Sequence, residues 1–478
     1  MDASLVASIA AARLALPIPT AKLLTAWEFA KALGTSEGRQ VGWPALREWL
    51  ATRKFESEIL EGLVPVVISR CTSKEATELR KTIQRPSLAM DVMLAAATGQ
   101  STLLPSWQGC HSGPAPKFAE LSTEEALLAS GRILPGLFST EFEELQDRSG
   151  KPFLRQWAYE YQTLEATRGF PQSERFDYFA NGEQGASGMV VSQRSHAARS
   201  AFLRTLAYAS EYWSMPLNLA HDVATAAFPG ETTLLRMAPG LPPECAGKLY
   251  GAVDGNELSA ENIASRVLDA LCSDPLSFPM HFSGCVYDSP MLTIDVSAFA
   301  IPVVVGYEAN IWVHWYQRML GNVQLERNSS FALVISALQD RRLAGDPSIV
   351  APLLAPILPK RVGYFHADLI QRPPYLPAWV PGDHPILAYP REGGMALEMN
   401  GKLVGTMRHW MANWNPLVLR DAPAGTASST HINAELVGLY ENVMERKVGH
   451  ACAVTIRRRT KTYGDWSSET SECIVEPG

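Results

Sequence analysis

The feature that most restricts what this chain can fold into is a single change in the period of its apolar residues, near residue 278. Before that point they recur every three to four positions, as on one face of a helix. After it they alternate or run in short blocks, as in strands. A run of helices followed by a run of strands reads as the α+β class. The expected fold is therefore a helical N-terminal domain followed by a mixed, mostly antiparallel β-rich C-terminal region with interspersed helices.

Length sets the number of cores. A chain of 478 residues exceeds what one core serves, because single cores stop growing at roughly 250 to 300 residues. The punctuation suggests a helical domain over 1–168, a glycine-rich connection and helical segment over 169–275, and a β-rich α+β domain over 276–478. No internal repeat of fixed period is seen, which disfavours a solenoid or propeller.

Helix ends are legible in the first half. Thr20 is placed to cap "AKLLTAWEFAKAL", with Leu23, Trp27 and Ala30 on one stripe and Gly34 at the stop. Pro44 suits a first helical turn, Ser73 a cap, and Thr140 with Glu143 a capping box. Phe153, Trp157, Tyr161 and Leu164 share a face, and Ser259 can open "AENIASRVLDALCS".

Two hairpins can be placed in register. Asn400-Gly401 accepts positive φ at both central positions, pairing Met399 with Lys402 and Leu397 with Val404. A Gly464-Asp465 turn would pair Tyr463 with Trp466 and Arg457 with Glu472. "VGYFHADLI" reads as a further strand.

Charge and cysteine usage bound the function. Forty-two Lys plus Arg against 49 Asp plus Glu give a formal charge of -7, so no overall field attracts nucleic acid or an anionic membrane. Seven scattered cysteines without a CxxC pair suit reduced thiols and a cytoplasmic location. The first residues lack a basic leader, and no apolar run is long enough to span a bilayer; neither a signal peptide nor a membrane span is expected.

Three groups of residues have the chemistry of a site. His366 and Asp368, two apart on the expected strand, with Asp383 and His384 near a turn, offer nitrogen and oxygen ligands for zinc, manganese or iron; a metal-bound water would make this a hydrolase. Gly185 and Gly188 precede a helix carrying Arg194, Arg199 and Arg204, an arrangement suited to a phosphate or carboxylate. It lacks the Gly-Lys-Ser/Thr of a Walker loop.

The third group is aromatic and basic: Arg408, Trp410 and Trp414 after the first hairpin, with Arg457, Arg459 and Trp466 in the second. Stacking on a base or a sugar is one reading, and burial in a central strand is the other. Cys110-His111 and the pair His281 and Cys285 are not spaced to orient an imidazole toward a thiol. With no catalytic signature present, the expectation is a cytoplasmic protein-interaction subunit of a larger assembly, binding other chains or its own copies. A metal-dependent hydrolase, or a nucleic-acid or nucleotide-phosphate binding protein, is the alternative.

Overall fold

A computed structural model describes residues 2–17, 19–100, 107, 109–116, 136–168, 193–237, 240, 242, 244–251, 259–274, 277–303, 353–356, 363–366, 375–378, 385–391, 393–411, 426–462 and 465–475. They form an α+β protein with two compact units. The first unit is the described residues up to Arg236 together with the short helix Tyr364–His366; the second is built from the other described residues after Arg236.

Helices α1 (Ala3–Arg13), α2 (Pro19–Leu33), α3 (Ser36–Ala51), α4 (Glu56–Ser69), α5 (Ser73–Thr82) and α6 (Leu88–Thr98) open the first unit. Proline takes the first position of α2, so Thr20 lies inside the helix and is not its cap. Pro44 lies inside α3, not in its first turn, because Thr35 caps the helix earlier by accepting from the Gly38 N–H at 3.1 Å. Its ring leaves the carbonyl of Gln40 without a helical donor, and Gln40 is exposed, so water can serve that carbonyl. Thr72, not Ser73, caps α5, with Glu75 reaching back to complete the capping box.

Next come α7 (Gly136–Ser149), α8 (Phe153–Arg168), α9 (Gln193–Tyr212) and α10 (Leu217–Ala224). α7 starts before Thr140, which places Thr140 and Glu143 within it and not at its end. The stripe Phe153, Trp157, Tyr161 and Leu164 is buried, with the Trp157 indole donating to the Ala198 carbonyl at 2.9 Å. Phe142 and Phe202 stack beside it at 4.2 Å between centroids. Tyr364 and Phe365 enter the same core from the far end of the sequence. Their approach depends on Gly363, at φ +73°, where a Cβ would meet the Gly230 Cα and the Pro229 carbonyl oxygen at 2.4 Å.

The second unit begins with α11 (Glu244–Gly251) and α12 (Ala260–Leu271), the latter capped by Ser259 as expected. Its main sheet uses β1 (Ser277–Asp288), β2 (Leu292–Pro302), β5 (Leu387–Arg391), β6 (Gly394–Met399), β7 (Lys402–Met411), β8 (Thr426–Asn433), β9 (Val448–Thr462) and β10 (Asp465–Val475). Among the described residues the order is β10-β9-β2-β1-β8-β7-β6-β5, antiparallel throughout. β3 (Leu354–Pro356) and β4 (Tyr375–Pro377) form a small second sheet, and α13 (Ala434–Met444) follows β8.

Alternation along the strands builds two cores. Phe282, Val286, Ile294, Val296 and Trp410 pack with α11 and α12; Phe299, Leu397, Ile432 and Ala453 pack with α13, Leu354 and Tyr375. Asn400 and Gly401 take φ +54° and +73°, and Met399 pairs with Lys402 as expected. A bulge then shifts Leu397 onto Gly405 in place of Val404, and both Leu397 and Val404 lie in one core.

In the second hairpin Asp465 pairs with Thr462 and Arg457 with Thr470, two residues away from the expected register. A two-residue slip keeps every side chain on its face, so alternation alone does not discriminate the two registers. The observed one sets Val475 and Ile474 opposite Cys452 and Ala453, which are buried; the other would set Ile474 opposite half-buried Thr455.

Candidate functional site

Polar side chains converge most closely inside the first unit, between α4 and α9. Positions 196, 200 and 204 of α9 recur at the helical interval and meet 61, 57 and 56 of α4, so the helices run antiparallel along a polar seam. Arg204 donates to Glu56 Oε1 from Nε at 2.8 Å and from Nη2 at 2.7 Å. The Ser57 N–H donates to Ser200 Oγ at 3.1 Å, and His196 Nδ1 lies 3.1 Å from Ser57 Oγ. His196 Nε2 lies 3.7 Å from Glu61.

Two more elements close on Glu61. Lys22 of α2 donates to one carboxylate oxygen, and the Tyr364 hydroxyl donates to the other at 2.9 Å. The Arg199 guanidinium lies over the Tyr364 ring, 4.0 Å from its centroid. Lys22, Arg199 and Tyr364 are each 0 % exposed, and Glu61 is 1 % exposed.

Burial governs the protonation of this group. It lowers the Lys22 ammonium below its ordinary value and raises the Glu61 carboxyl, each against the pull of the other. The same cause holds His196 neutral, well below the usual imidazole range, with Lys22 adding to the effect. It also lifts the Tyr364 hydroxyl well above its usual range, helped by the neighbouring Glu61. The chemical capacity of the arrangement is to share a proton between an amine and a carboxylate sealed from solvent.

The main sheet of the second unit holds four histidines, His281 and His409 buried and His431 and His450 half-buried. His281 of β1 is 1 % exposed, lies against Tyr375 and Phe299 at 4.6 and 5.3 Å, and neither ring nitrogen has a hydrogen-bond partner among the described residues. Burial lowers it to about 3 and lowers His431 to about 4. His431 Nδ1 sits 3.1 Å from Ser277 Oγ, His450 Nε2 donates to the Pro279 carbonyl at 2.7 Å, and His409 Nδ1 to that of Ala427 at 3.2 Å. Ser297, Ser283, Ser428 and His409 are direct cross-strand neighbours.

Trp410 is fully buried, its indole donating to the Tyr250 hydroxyl at 2.8 Å, while Arg408, on the same face, is exposed. Arg204 is engaged by Glu56, and Arg199 is sealed against Tyr364. Arg457 and Arg459 pair with Thr470 and Ser468, and Trp466 with Lys461.

His366 ends a 3-10 turn, Tyr364–His366, and not a strand; the expected strand gives way because Gly363 turns the backbone into the first core. Asp368, Asp383, His384, Gly185, Gly188 and Trp414 lie outside the described residues. Among the described residues no three His, Cys, Asp or Glu side chains are grouped to hold a metal ion. His111 turns away from Cys110: its Nε2 is 3.2 Å from Glu211, its Nδ1 accepts from the Gly113 N–H at 3.0 Å, and Tyr208 and Tyr212 present their rings to it. The Cys285 thiol donates to the Tyr287 carbonyl.

Sequence reading missed Lys22, Glu61 and Tyr364. The signal for the first two was present: Lys22 lies on the helical stripe of Ala26, Phe29 and Leu33, and Glu61 interrupts the apolar run "ILEGLVPVV". An acid and a base on the buried faces of neighbouring helices mark a paired interior charge. Tyr364, 303 residues from Glu61, carried no such local sign. Compared with known proteins, the chain matches no family model and no curated protein.

Proposed function

We propose that this chain is a protein-interaction subunit of a larger assembly, working in the cytoplasm and docking on other chains or on its own copies. The observation that carries this reading is where the large apolar side chains remain outside. Leu5, Val6 and Ile9 on α1 are 54, 45 and 50 % exposed, and Leu387, Tyr389 and Leu403 at the β5 side of the sheet are 49, 45 and 50 % exposed. Grouped apolar exposure of this kind is a feature of docking surfaces.

Two further observations support it. Several side chains able to do chemistry point inward and are answered there: Glu56 by Arg204, Glu61 by Lys22 and Tyr364, Trp410 by Tyr250. Six described cysteines are free thiols, as suits a reducing compartment. No helix among the described residues is long and apolar enough to cross a membrane.

The test is recovery of the native chain under mild conditions, followed by measurement of its mass and of what accompanies it. A stable oligomer or a stoichiometric complex is the expected result. A chain that is monomeric and alone in its native extract contradicts the proposal.

A further inference from the structure

We infer that the outward face of α1 is the contact between two copies of this chain, the helices packing antiparallel across a two-fold axis. The inference rests on the interaction reading above and names its partner. At 100° per residue, Leu5, Val6, Ile9, Ala12 and Arg13 fall on one side of the helix, and Ala7, Ala11 and Leu14 on the other; Asp2, the cap whose carboxylate accepts from the Ser4 N–H at 3.0 Å, stands at the start of the first side. The second set is buried against the unit and the first is exposed. A helix apolar on both sides, with only one side covered, has a second surface to bury.

Charge selects the occupant and its direction. The outward stripe carries no ionisable residue between Asp2 at its start and Arg13 at its end. These two are equidistant from the midpoint between Val6 and Ile9. A two-fold axis through that midpoint sets Val6 against the partner's Ile9 and Asp2 beside the partner's Arg13. A parallel pair would instead bring like charges together at both ends. The sequence of this helix is thus complementary to itself in one orientation only, which is the requirement of an isologous interface.

Eleven residues of helix span about 16 Å, which makes a contact smaller than a standard interface of about 800 Å² per partner. A contact of that size belongs with weak, transient interfaces, so the dimer should dissociate on dilution. Sedimentation equilibrium of the full chain over a concentration series reads it directly. The wild type should dimerise, and Ile9→Lys should weaken the dimer at least tenfold while far-ultraviolet dichroism and Tm stay unchanged, since Ile9 is exposed. Arg13→Asp should weaken it too, and the double variant Asp2→Asn/Arg13→Gln, which keeps a capping side chain at position 2, should restore affinity from the level of Arg13→Asp to near that of the wild type, because it removes the like-charge clash without losing the cap.

A dimer whose affinity ignores Ile9→Lys overturns this inference while leaving the interaction reading in place. So does a monomer that floats with phosphatidylcholine vesicles, or that joins a different protein, through α1. A wild-type chain that is monomeric at every concentration and alone in its native extract overturns both.

Discussion

Lys22 and Glu61 show how a buried ion pair constrains a fold. Taking both charges out of water costs several kcal/mol each, and their attraction with the added Tyr364 hydrogen bond offsets that cost. Lys22→Met should therefore destabilise the chain by roughly 3–5 kcal/mol, because Glu61 is left buried with its main partner gone. The double variant Lys22→Met/Glu61→Leu should recover part of that loss in urea unfolding, since an apolar pair of similar volume needs no counter-charge; the remainder is the hydrogen bond that the Tyr364 hydroxyl loses with Glu61.

The histidines make a second prediction at this scale. His281 and His431 stay neutral in the fold, at about 3 and about 4, whereas in the unfolded chain they titrate near 6.5. Below pH ~6.5 the unfolded chain binds protons that the folded chain refuses, so the stability they confer is whole above that pH and is lost as pH falls toward 4 and then 3. Each contributes a slope of up to ~1.4 kcal/mol per pH unit in that window. The urea midpoint should fall between pH 7 and pH 5, and His281→Phe should flatten that fall. A midpoint independent of pH would remove this account of the two histidines.

Among the elements, the helical ladder and the glycine-dependent approach of Tyr364 do most to fix the first unit. Gly363→Ala forces a side chain toward the Gly230 Cα and the Pro229 carbonyl at a backbone angle that L residues rarely adopt. A loss of about 1–3 kcal/mol is expected by calorimetry, from strain and overpacking together. An unchanged Tm would mean that the Tyr364–His366 turn docks less tightly than its contacts indicate.

Legibility also varied by element. The Ser259 cap, the Asn400-Gly401 turn and the stripe from Phe153 to Leu164 could be read because each is set within one turn or one face. α2, α3 and α7 begin before the expected positions; in α3 the reason is Thr35, which caps the helix ahead of Pro44. The second hairpin slipped by two because its register is decided by burial at Ile474 and Val475, far from the turn. Tyr364 went unread because its role arises only when distant segments meet.

For the whole molecule, the change in apolar period correctly indicated an α+β protein, while the grouping of polar side chains was settled by tertiary packing. Arg199 and Arg204 looked like anion ligands along α9, yet the helices that meet them turn both inward. The pairing of Glu61 with Lys22 and Tyr364 inside, and the apolar groups of α1 and β5 left outside, support the proposal that this chain deals with other molecules over broad surfaces. The most direct measurement of that claim is the sedimentation-derived mass of the untagged chain in its native extract. A species heavier than one chain is the predicted result. A lone chain of monomer mass at every dilution contradicts it.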